Sequence, residues 1–532
     1  MGQEAAVVAT NGSGTRPHAV VMPYPLQGHV IPAVHLAQRL AERGFTVTFI
    51  NTESVHHQIA SGGGADDIFA AARAAASNPL DVRYELMNDG FPLGFDRSLN
   101  HDQFMEGVLH VLPAHAEELL RRIVVDPAST CLVIDTFFVW PATLARKLGV
   151  PYVSFWTEPA LIFSLYYHMD LLTKHGHFRC EARHGGSYRE RTSRTLIARF
   201  RSVYFSFLFS CTNNFFHRGA MVVCGGAEPR KDTITYIPGV ASIEPHELMS
   251  YLQATDTTTV VHRIIDRAFA EARAADVVVC NTVEELEPWT IAALRAAGKP
   301  FYAVGPVLPA GFTRSAVATS MWPESRDACA RWLGAQAARS VLYVSFGSYA
   351  HVTREELHEI ARGVLRSGAR FLWVLRPDVV SADDPDPLPE GFATQAEGRG
   401  IVVPWCCQVE VLSHAAVAGF LTHCGWNSVL ESVWAGVPML CFPLLTDQFT
   451  NRRIVVREWG AGASIGDRGA VRADEVRARI EGLMGDGEEG ARLREQVGKR
   501  RATLQAAVAP AGSSRRNFDD LVDDLKRRCG GR

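Results

Sequence analysis

The strongest constraint on the fold is a local pattern that occurs twice, in distant parts of the chain. Each copy has a buried strand, a glycine-containing turn, an amphipathic helix followed by glycine, and a second strand. The strands of the first copy are 18–25 and 45–51, and those of the second are 340–348 and 370–376. Because parallel strands need a crossover connection, each copy predicts a βαβ unit in a parallel sheet. We therefore predict an α/β protein with two doubly wound domains.

Further apolar segments extend both predicted sheets. They are 132–135, 151–156, 276–281 and 301–306 in the first half, and 400–405, 419–424 and 438–443 in the second. Residues 306–328 have the composition of a linker, which predicts an N-terminal domain over 18–305 and a C-terminal domain over 329–505. The small polar residues 1–17 predict a disordered start. Ligands of such folds bind at the carboxyl ends of the strands, so we expect the site in the cleft between the sheets.

The composition argues against several classes of protein. In 532 residues, 54 Lys and Arg face 57 Asp and Glu, and this balance creates no field that would attract nucleic acid or anionic lipid. The 11 cysteines have no regular spacing, which indicates reduced thiols. No apolar stretch has the length of a membrane span, and the start of the chain lacks a signal-peptide pattern. We predict a cytoplasmic protein, and the sequence does not indicate its oligomeric state.

One segment, 182–227, does not fit the two-domain pattern. It is rich in Arg with Glu190 as its single acid, and it then becomes rich in Phe without helical or strand periodicity. One interpretation is a surface insertion in the N-terminal domain. Another is translated non-coding sequence such as a retained intron, because joining the flanking residues directly would give a continuous polar loop.

A helix start in the second half has the features of a diphosphate site. After the strand 419–424, Asn427 and Ser428 lie in the first turn of a helix that is predicted to end at Gly436. Free N–H groups at a helix N-terminus, together with side-chain donors, bind phosphate oxygens. His423 precedes this helix and supplies another donor.

Side chains around that helix start suit the other parts of a nucleotide sugar. Trp405 offers a flat ring for a base, and Glu431, one turn beyond Asn427, offers a carboxylate for vicinal ribose hydroxyls. Asp447 and Gln448 offer an acceptor and an amide for a polyol. Along the chain, the groups for the base, the phosphates, the ribose and the sugar therefore follow one another in that order. This order is what a nucleotide sugar requires.

The segment 405–448 resembles, over its full length, the C-terminal signature of plant family-1 UDP-dependent glycosyltransferases. The resemblance extends to the whole chain outside 182–227. It implies the two-domain GT-B fold, a role in plant secondary metabolism, and transfer of glucose from UDP-glucose to a hydroxyl of a small lipophilic metabolite. The implied reaction inverts the anomeric centre to give a β-glucoside and needs no metal and no cofactor besides the UDP-glucose co-substrate.

The resemblance also implies which residues contact the donor. Trp405 stacks on uracil, Gln408 helps to hold the nucleoside, and Glu431 binds the ribose. The implied phosphate contacts are Ser348, His423, Asn427 and Ser428, and the implied sugar contacts are Trp426, Asp447 and Gln448, with Thr157 nearby. Gln448 matches the pattern that prefers glucose. Cys406 and Cys407 replace the common Ala-Pro pair, and we expect little loss because Cys406 would contact uracil through its backbone.

The expected catalytic pair lies in the first half. His29 follows the first strand and is predicted to precede the first helix, and Asp135 ends the strand 131–135. A carboxylate there could hold the far ring nitrogen of a neutral histidine, as in a Ser-His-Asp arrangement. The resemblance implies that His29 deprotonates the acceptor hydroxyl and that Asp135 orients His29.

Three other interpretations of the sequence compete with an inverting glucosyltransferase. Asp384 and Asp386 form an Asp-Pro-Asp motif known from metal-dependent transferases, but they lie in a Pro-rich segment, which favours a solvated turn. A UDP-sugar epimerase on the same fold would need neither the His29–Asp135 pair nor the apolar residues that surround it, Phe137, Phe138, Trp140 and Phe155. A catalytically silent UDP-sugar binder stays open, because 182–227 falls in the acceptor-binding half.

The C-terminal residues 513–528 have an apolar stripe that predicts an amphipathic helix. The resemblance implies that residues 506–532 pack back on the N-terminal domain. A plain surface helix is the alternative.

Overall fold

The structure is a computed structural model that describes residues 16–63, 66–76, 79–179, 229–317, 319–380 and 386–530. The interpretations of 182–227, of Asp384 and of all but the last two residues of 1–17 therefore concern residues outside the described parts.

The N-terminal domain is built on a parallel sheet with the strand order β3-β2-β1-β4-β5-β6-β7. Its strands are β1 His18–Met22, β2 Thr46–Thr52, β3 Val82–Met87, β4 Thr130–Asp135, β5 Tyr152–Trp156, β6 Val277–Cys280 and β7 Phe301–Ala303. Its helices are α1 Gln27–Glu42, α2 Glu53–Ser61, α3 Ala70–Ala75, α4 His101–His110, α5 Leu112–Ile123, α6 Pro141–Leu148, α7 Ala160–Tyr167, α8 Met169–Lys174, α9 Ser250–Gln253, α10 Val260–Ala274 and α11 Pro288–Ala296. The strand order reverses between β1 and β4, so the carboxyl ends of these strands open a crevice.

The C-terminal domain repeats this architecture with the order β10-β9-β8-β11-β12-β13. Its strands are β8 Val341–Ser345, β9 Arg370–Val374, β10 Gly400–Val403, β11 Val417–Thr422, β12 Met439–Cys441 and β13 Gly462–Ser464. Its helices are α12 Arg326–Gly334, α13 Arg354–Arg366, α14 Phe392–Ala396, α15 Gln408–Ser413, α16 Trp426–Ala435, α17 Gln448–Arg453, α18 Ala473–Met484, α19 Glu488–Val508 and α20 Ser513–Gly530. Short 3₁₀ helices occupy Pro245–Glu247 and Ala310–Phe312, and a π-helix occupies Ile454–Glu458. The prediction of two doubly wound parallel sheets is confirmed.

Local signals in the sequence explain several helix ends. Thr353 and Glu356 form the capping box that starts α13. Gly436 ends α16 in the left-handed conformation, which glycine adopts without steric cost. One prediction was wrong: α1 begins at Gln27, so His29 lies in its first turn and not in a loop before it. The carbonyl of Leu26 accepts hydrogen bonds from the N–H groups of His29 and Val30, and this starts the helix at Gln27.

The two domains face each other and are joined by direct contacts. The backbone N–H of Ser250 donates to the Thr446 carbonyl at 3.0 Å, and the Thr450 hydroxyl donates to the Glu247 carbonyl at 2.7 Å. The helix α20 follows the C-terminal domain and packs against β4 and β7 of the N-terminal domain. Its apolar residues Phe518, Leu521, Val522 and Leu525 are buried there.

Candidate active site

A cavity of about 690 Å³ opens between the two sheets. It is lined by every predicted site residue except Asp135, which lies behind His29. The N-terminal domain contributes aromatic and aliphatic side chains to the walls, and the C-terminal domain contributes mainly polar groups. Residues 313–317 of the predicted linker also line the cavity, beside the part that contains Trp405.

The predicted catalytic pair is formed. His29 Nδ1 lies 2.7 Å from Asp135 Oδ2, and the Asp135 side chain is 1% exposed. The other Asp135 oxygen accepts a hydrogen bond from the Phe137 N–H at 3.0 Å, which fixes the carboxylate. With Nδ1–H donating to Asp135, Nε2 of the ring keeps a lone pair that can accept a proton. Thr157 Oγ1 lies 3.0 Å from His29 Nδ1, so Thr157 is a direct neighbour of the His29 ring.

The start of α16 joins the donor side of the cavity to the His29 side. The Asn427 amide donates to the Gly28 carbonyl at 2.6 Å, and the Trp426 indole N–H donates to the Asn281 carbonyl at 2.7 Å. These bonds place the helix N-terminus directly opposite the first turn of α1. The indole N–H of Trp426 is thereby occupied, which leaves its ring face and backbone for a sugar contact.

His423 completes the predicted phosphate site beside α16. No side chain caps α16, so its first N–H groups are available to an anion. The His423 ring fits closely between Gly347 and Gly425, where an added Cβ at either glycine would clash with the ring. Burial, helped by the Arg376 guanidinium, lowers the pKa of His423 to about 4. The ring is therefore neutral at physiological pH and can donate a hydrogen bond to a phosphate without carrying a charge.

Glu431, Gln408 and Ser428 form one hydrogen-bonded group. The Gln408 amide donates to Glu431 Oε2 at 2.6 Å and to Ser428 Oγ at 2.9 Å, and its oxygen accepts from the Tyr343 hydroxyl at 3.1 Å. Burial raises the pKa of Glu431 to about 7, and the hydrogen bond from Gln408 opposes this shift. The Glu431 carboxylate is buried, and the hydroxyls of a ribose bound here would donate hydrogen bonds to it.

The ring that is predicted to stack on the base, the indole of Trp405, is mostly buried. Trp405 is 8% exposed, and the ring of Trp322 lies 6.4 Å from it between centroids. The thiol of Cys406 lies 3.6 Å from the Tyr343 hydroxyl. The Cys329 thiol and burial raise the pKa of Cys406 well above its usual range, so that its thiol is neutral. This arrangement leaves the Cys406 backbone for a contact with a base.

The predicted sugar pair lies at the start of α17. Gln448 Oε1 accepts from the backbone N–H groups of Leu444 and Leu445 at 2.8 and 3.1 Å, so its NH₂ group is the part that can meet a sugar. Asp447 accepts from the Thr446 hydroxyl and the Asn451 amide, both at 2.6 Å, and burial raises its pKa. Toward a sugar, Asp447 can therefore accept hydrogen bonds and Gln448 can donate them. The sequence alone did not show which atoms of Gln448 are available.

Sequence reasoning missed Asn281 and Glu158. Asn281 is buried between the domains: its carbonyl accepts from Trp426, its Oδ1 accepts from the Val307 N–H at 2.8 Å, and its amide lies 3.4 Å from Asn427 Oδ1. Glu158 follows Thr157 and lines the cavity. The available signal was their position, because Asn281 directly follows β6 and Glu158 is the second residue after β5, at the edge where Asp135 ends β4.

The described residues contain no group of three or more His, Cys, Asp and Glu side chains that could hold a metal ion. Among them there is also no helix long and apolar enough to cross a bilayer. The eight cysteines that the structure describes all have free thiols.

Residues 242–486 match the sequence profile of the family described as UDP-glucoronosyl and UDP-glucosyl transferase. The chain is 49% identical over 521 residues to UDP-glycosyltransferase 86A1 of Arabidopsis thaliana, with 96% of this chain and 95% of that protein covered. It is 48% identical to UDP-glycosyltransferase 86A2 of the same plant, again with 96% and 95% covered. The chain belongs to the plant family-1 UDP-glycosyltransferases.

Solved structures agree with this membership. A UDP-glucosyltransferase from Polygonum tinctorium, described as capable of glucosylating indoxyl, matches with a TM-score of 0.69 at 27% identity, covering 97% of this chain and 100% of that chain. The architecture is thus the GT-B fold of the plant UDP-glycosyltransferases, and the protein is a glycosyltransferase with a UDP-sugar as donor. The cleft between the sheets is where this chain brings the predicted donor-binding and catalytic residues together.

Proposed function

We propose that this UDP-glycosyltransferase is an inverting glucosyltransferase that moves glucose from UDP-glucose to a hydroxyl of a small lipophilic plant metabolite and forms a β-glucoside. The observation that carries the proposal is the hydrogen-bonded His29–Asp135 pair, whose His29 ring lines the same cavity as the uncapped start of α16. One side can activate a hydroxyl, and the other can hold the leaving diphosphate.

The reaction follows from this geometry. Asp135 holds the Nδ1–H of His29, so that Nε2 takes the proton as the acceptor O–H bond breaks. The acceptor oxygen forms a bond to the anomeric carbon while the bond from that carbon to the diphosphate breaks. The electron pair of that bond leaves with UDP. Attack opposite to the leaving group inverts the centre and converts an α-linked donor to a β-glucoside.

The leaving group is stabilised by hydrogen bonds in this proposal and not by a metal. The N–H groups of α16, Ser428, Ser348 and the neutral His423 surround the position of the diphosphate. Trp405 and the Cys406 backbone take uracil, and Glu431 takes the ribose after exchanging its hydrogen bond with Gln408. No resident cofactor enters any step.

The choice of glucose and of a lipophilic acceptor rests on the predicted sugar pair, on a similar enzyme and on the cavity walls. The donor amide of Gln448 and the acceptor Asp447 suit neighbouring sugar hydroxyls, and the similar Polygonum enzyme is a glucosyltransferase. The acceptor side of the cavity has apolar walls that include Tyr24, Met105 and Phe137. A role in plant secondary metabolism and a cytoplasmic location are part of the same proposal.

The test is to incubate the protein with UDP-glucose and a pool of phenolic and terpenoid alcohols, with and without a metal chelator. We expect mass spectrometry to show addition of one hexose, unchanged by the chelator, and NMR to show a β-anomeric proton. Folded protein that binds UDP but adds no hexose would contradict the proposal, and an α-glucoside would contradict the inverting mechanism.

A further inference from the structure

The cavity contains a carboxyl group for which the reaction described above has no use. Glu158 lies between Thr157 at the end of β5 and the start of α7, and it lines the cavity. Its Oε2 is buried and has no hydrogen-bond partner among the described residues. A buried polar atom without a partner is costly, so a group that a ligand can satisfy is the kind of feature that marks a binding position.

The backbone around Glu158 is held in place. The Cys280 thiol lies 3.3 Å from the Glu158 carbonyl, and the Trp156 indole N–H donates to the Pro159 carbonyl at 2.9 Å. These contacts fix the backbone from which the Glu158 side chain extends, and this side chain lines the cavity.

The surroundings favour the neutral form of this carboxyl. Burial raises the pKa of Glu158 well above its usual range, and the carboxylates of Asp447 and Asp135 raise it further. A neutral carboxyl can both donate and accept a hydrogen bond, which suits a hydroxyl group.

Two tyrosines extend this polar position. Tyr166 and Tyr251 line the same cavity as Glu158. Burial raises the pKa of both phenols, and the carboxyl group of Glu158 contributes to the shift in each. The aliphatic residues Val261, Ile264 and Ile265 also line this cavity.

We propose that Glu158 is a specificity-determining residue for the acceptor, and that its carboxyl group binds a second hydroxyl of the acceptor, distinct from the one that receives the sugar. This inference rests on the proposed function of the same cavity. An acceptor without the second hydroxyl would leave the buried carboxyl unsatisfied, and sites of this kind discriminate strongly against such analogues. The acceptor class is therefore a lipophilic compound with two or more hydroxyl groups.

The test uses matched pairs of probes with one and two hydroxyls: hydroxybiphenyl and dihydroxybiphenyl, naphthol and dihydroxynaphthalene, and hydroxystilbene and dihydroxystilbene. Each is measured for kcat/KM with UDP-glucose and, by calorimetry, for binding to the UDP-loaded protein. We compare the wild type with Glu158→Leu, which removes the hydrogen bond, and Glu158→Gln, which keeps a similar shape and hydrogen-bonding capacity.

We expect the wild type to prefer the dihydroxy probe of at least one pair by about tenfold, the effect of roughly one hydrogen bond. In Glu158→Leu, the ratio of kcat/KM for the dihydroxy probe to kcat/KM for the monohydroxy probe should be about one. Glu158→Gln should keep most of the wild-type ratio. Affinity for UDP and KM for UDP-glucose should be unchanged in both variants, which also shows that they are folded.

Equal ratios in the wild type and Glu158→Leu for all three pairs would overturn the inference, and so would failure of every probe to bind. A raised KM for UDP-glucose without a change in the acceptor ratio would overturn it by assigning Glu158 to the sugar. The wild type could instead prefer an analogue in which an aminomethyl group replaces the second hydroxyl. If Glu158→Leu lost that preference, the inference would be overturned, because the Glu158 carboxyl would then be ionised and would bind a cation. If no hexose is transferred, the proposed function fails, whereas the calorimetric ratio still decides the role of Glu158.

Discussion

The two walls of the cleft hold their polar groups in different ways. On the N-terminal wall, His29 and Asp135 are hydrogen-bonded to each other in the geometry that the proposed reaction needs. On the C-terminal wall, Glu431 is hydrogen-bonded to Gln408, and a ribose would have to replace or share that bond. We infer that the N-terminal wall, which we call the catalytic wall, is preorganised, and that the C-terminal wall, the donor wall, rearranges its hydrogen bonds when the nucleotide binds. We infer that changes on the first wall affect the chemical step and changes on the second affect donor affinity.

The largest expected effect comes from the catalytic wall. His29→Ala removes the base that accepts the hydroxyl proton, so kcat should fall about 10³-fold. UDP affinity should stay near the wild-type value, because His29 is not part of the donor wall. Steady-state kinetics and calorimetry on the same preparation measure both quantities. Turnover near the wild-type rate would remove His29 as the base.

Asp135→Asn should have the next largest effect. The substitution keeps the shape of the side chain but removes the charge that orients His29 and stabilises it when protonated, so we expect kcat to fall about 10²-fold. UDP affinity serves as the internal control. A loss confined to KM, with kcat unchanged, would contradict the orienting role.

On the donor wall, Glu431→Ala should weaken UDP binding by about 1–3 kcal/mol, the usual range for a buried or charged hydrogen bond. At saturating UDP-glucose, kcat should stay close to the wild-type value. Calorimetric titration with UDP gives the affinity. Unchanged affinity would show that Glu431 does not bind the ribose.

The smallest expected effect is the dependence of UDP affinity on pH. Burial raises the pKa of Glu431 to about 7, and hydroxyl donors of the ribose favour its ionised form. UDP affinity should therefore be constant above about pH 7 and fall below it by up to about tenfold per pH unit. Glu431→Gln should flatten this dependence because its amide does not ionise. A wild-type profile that matches Glu431→Gln between pH 5 and 8 would contradict the prediction.

The sequence predicted the features that local signals determine. The central strands, the capping box at Thr353 and the helix start at Asn427 all follow from patterns within a few residues. The strands β3 and β13 were not predicted, because neither has a continuous apolar run: β3 has several exposed side chains and β13 has only three residues. A continuous apolar run is the pattern that reveals a buried parallel strand.

Contacts between distant residues also lay beyond sequence reasoning. Asn281 meets Trp426 only because the two domains close on each other. The oxygen of Gln448 is used by the N–H groups of its own loop, and this depends on how the turn from 444 to 447 folds. Such contacts assign the donor and acceptor roles within the site, whereas the motif indicates only that the residues are near.

The most direct test of the division between the two walls is a double-mutant cycle with His29→Ala and Glu431→Ala. If the two walls act independently, the losses in kcat/KM for UDP-glucose multiply in the double variant, and its loss in UDP affinity equals that of Glu431→Ala alone. A double variant whose kcat/KM is no lower than that of His29→Ala, or a loss of UDP affinity in His29→Ala itself, would contradict this division between the walls.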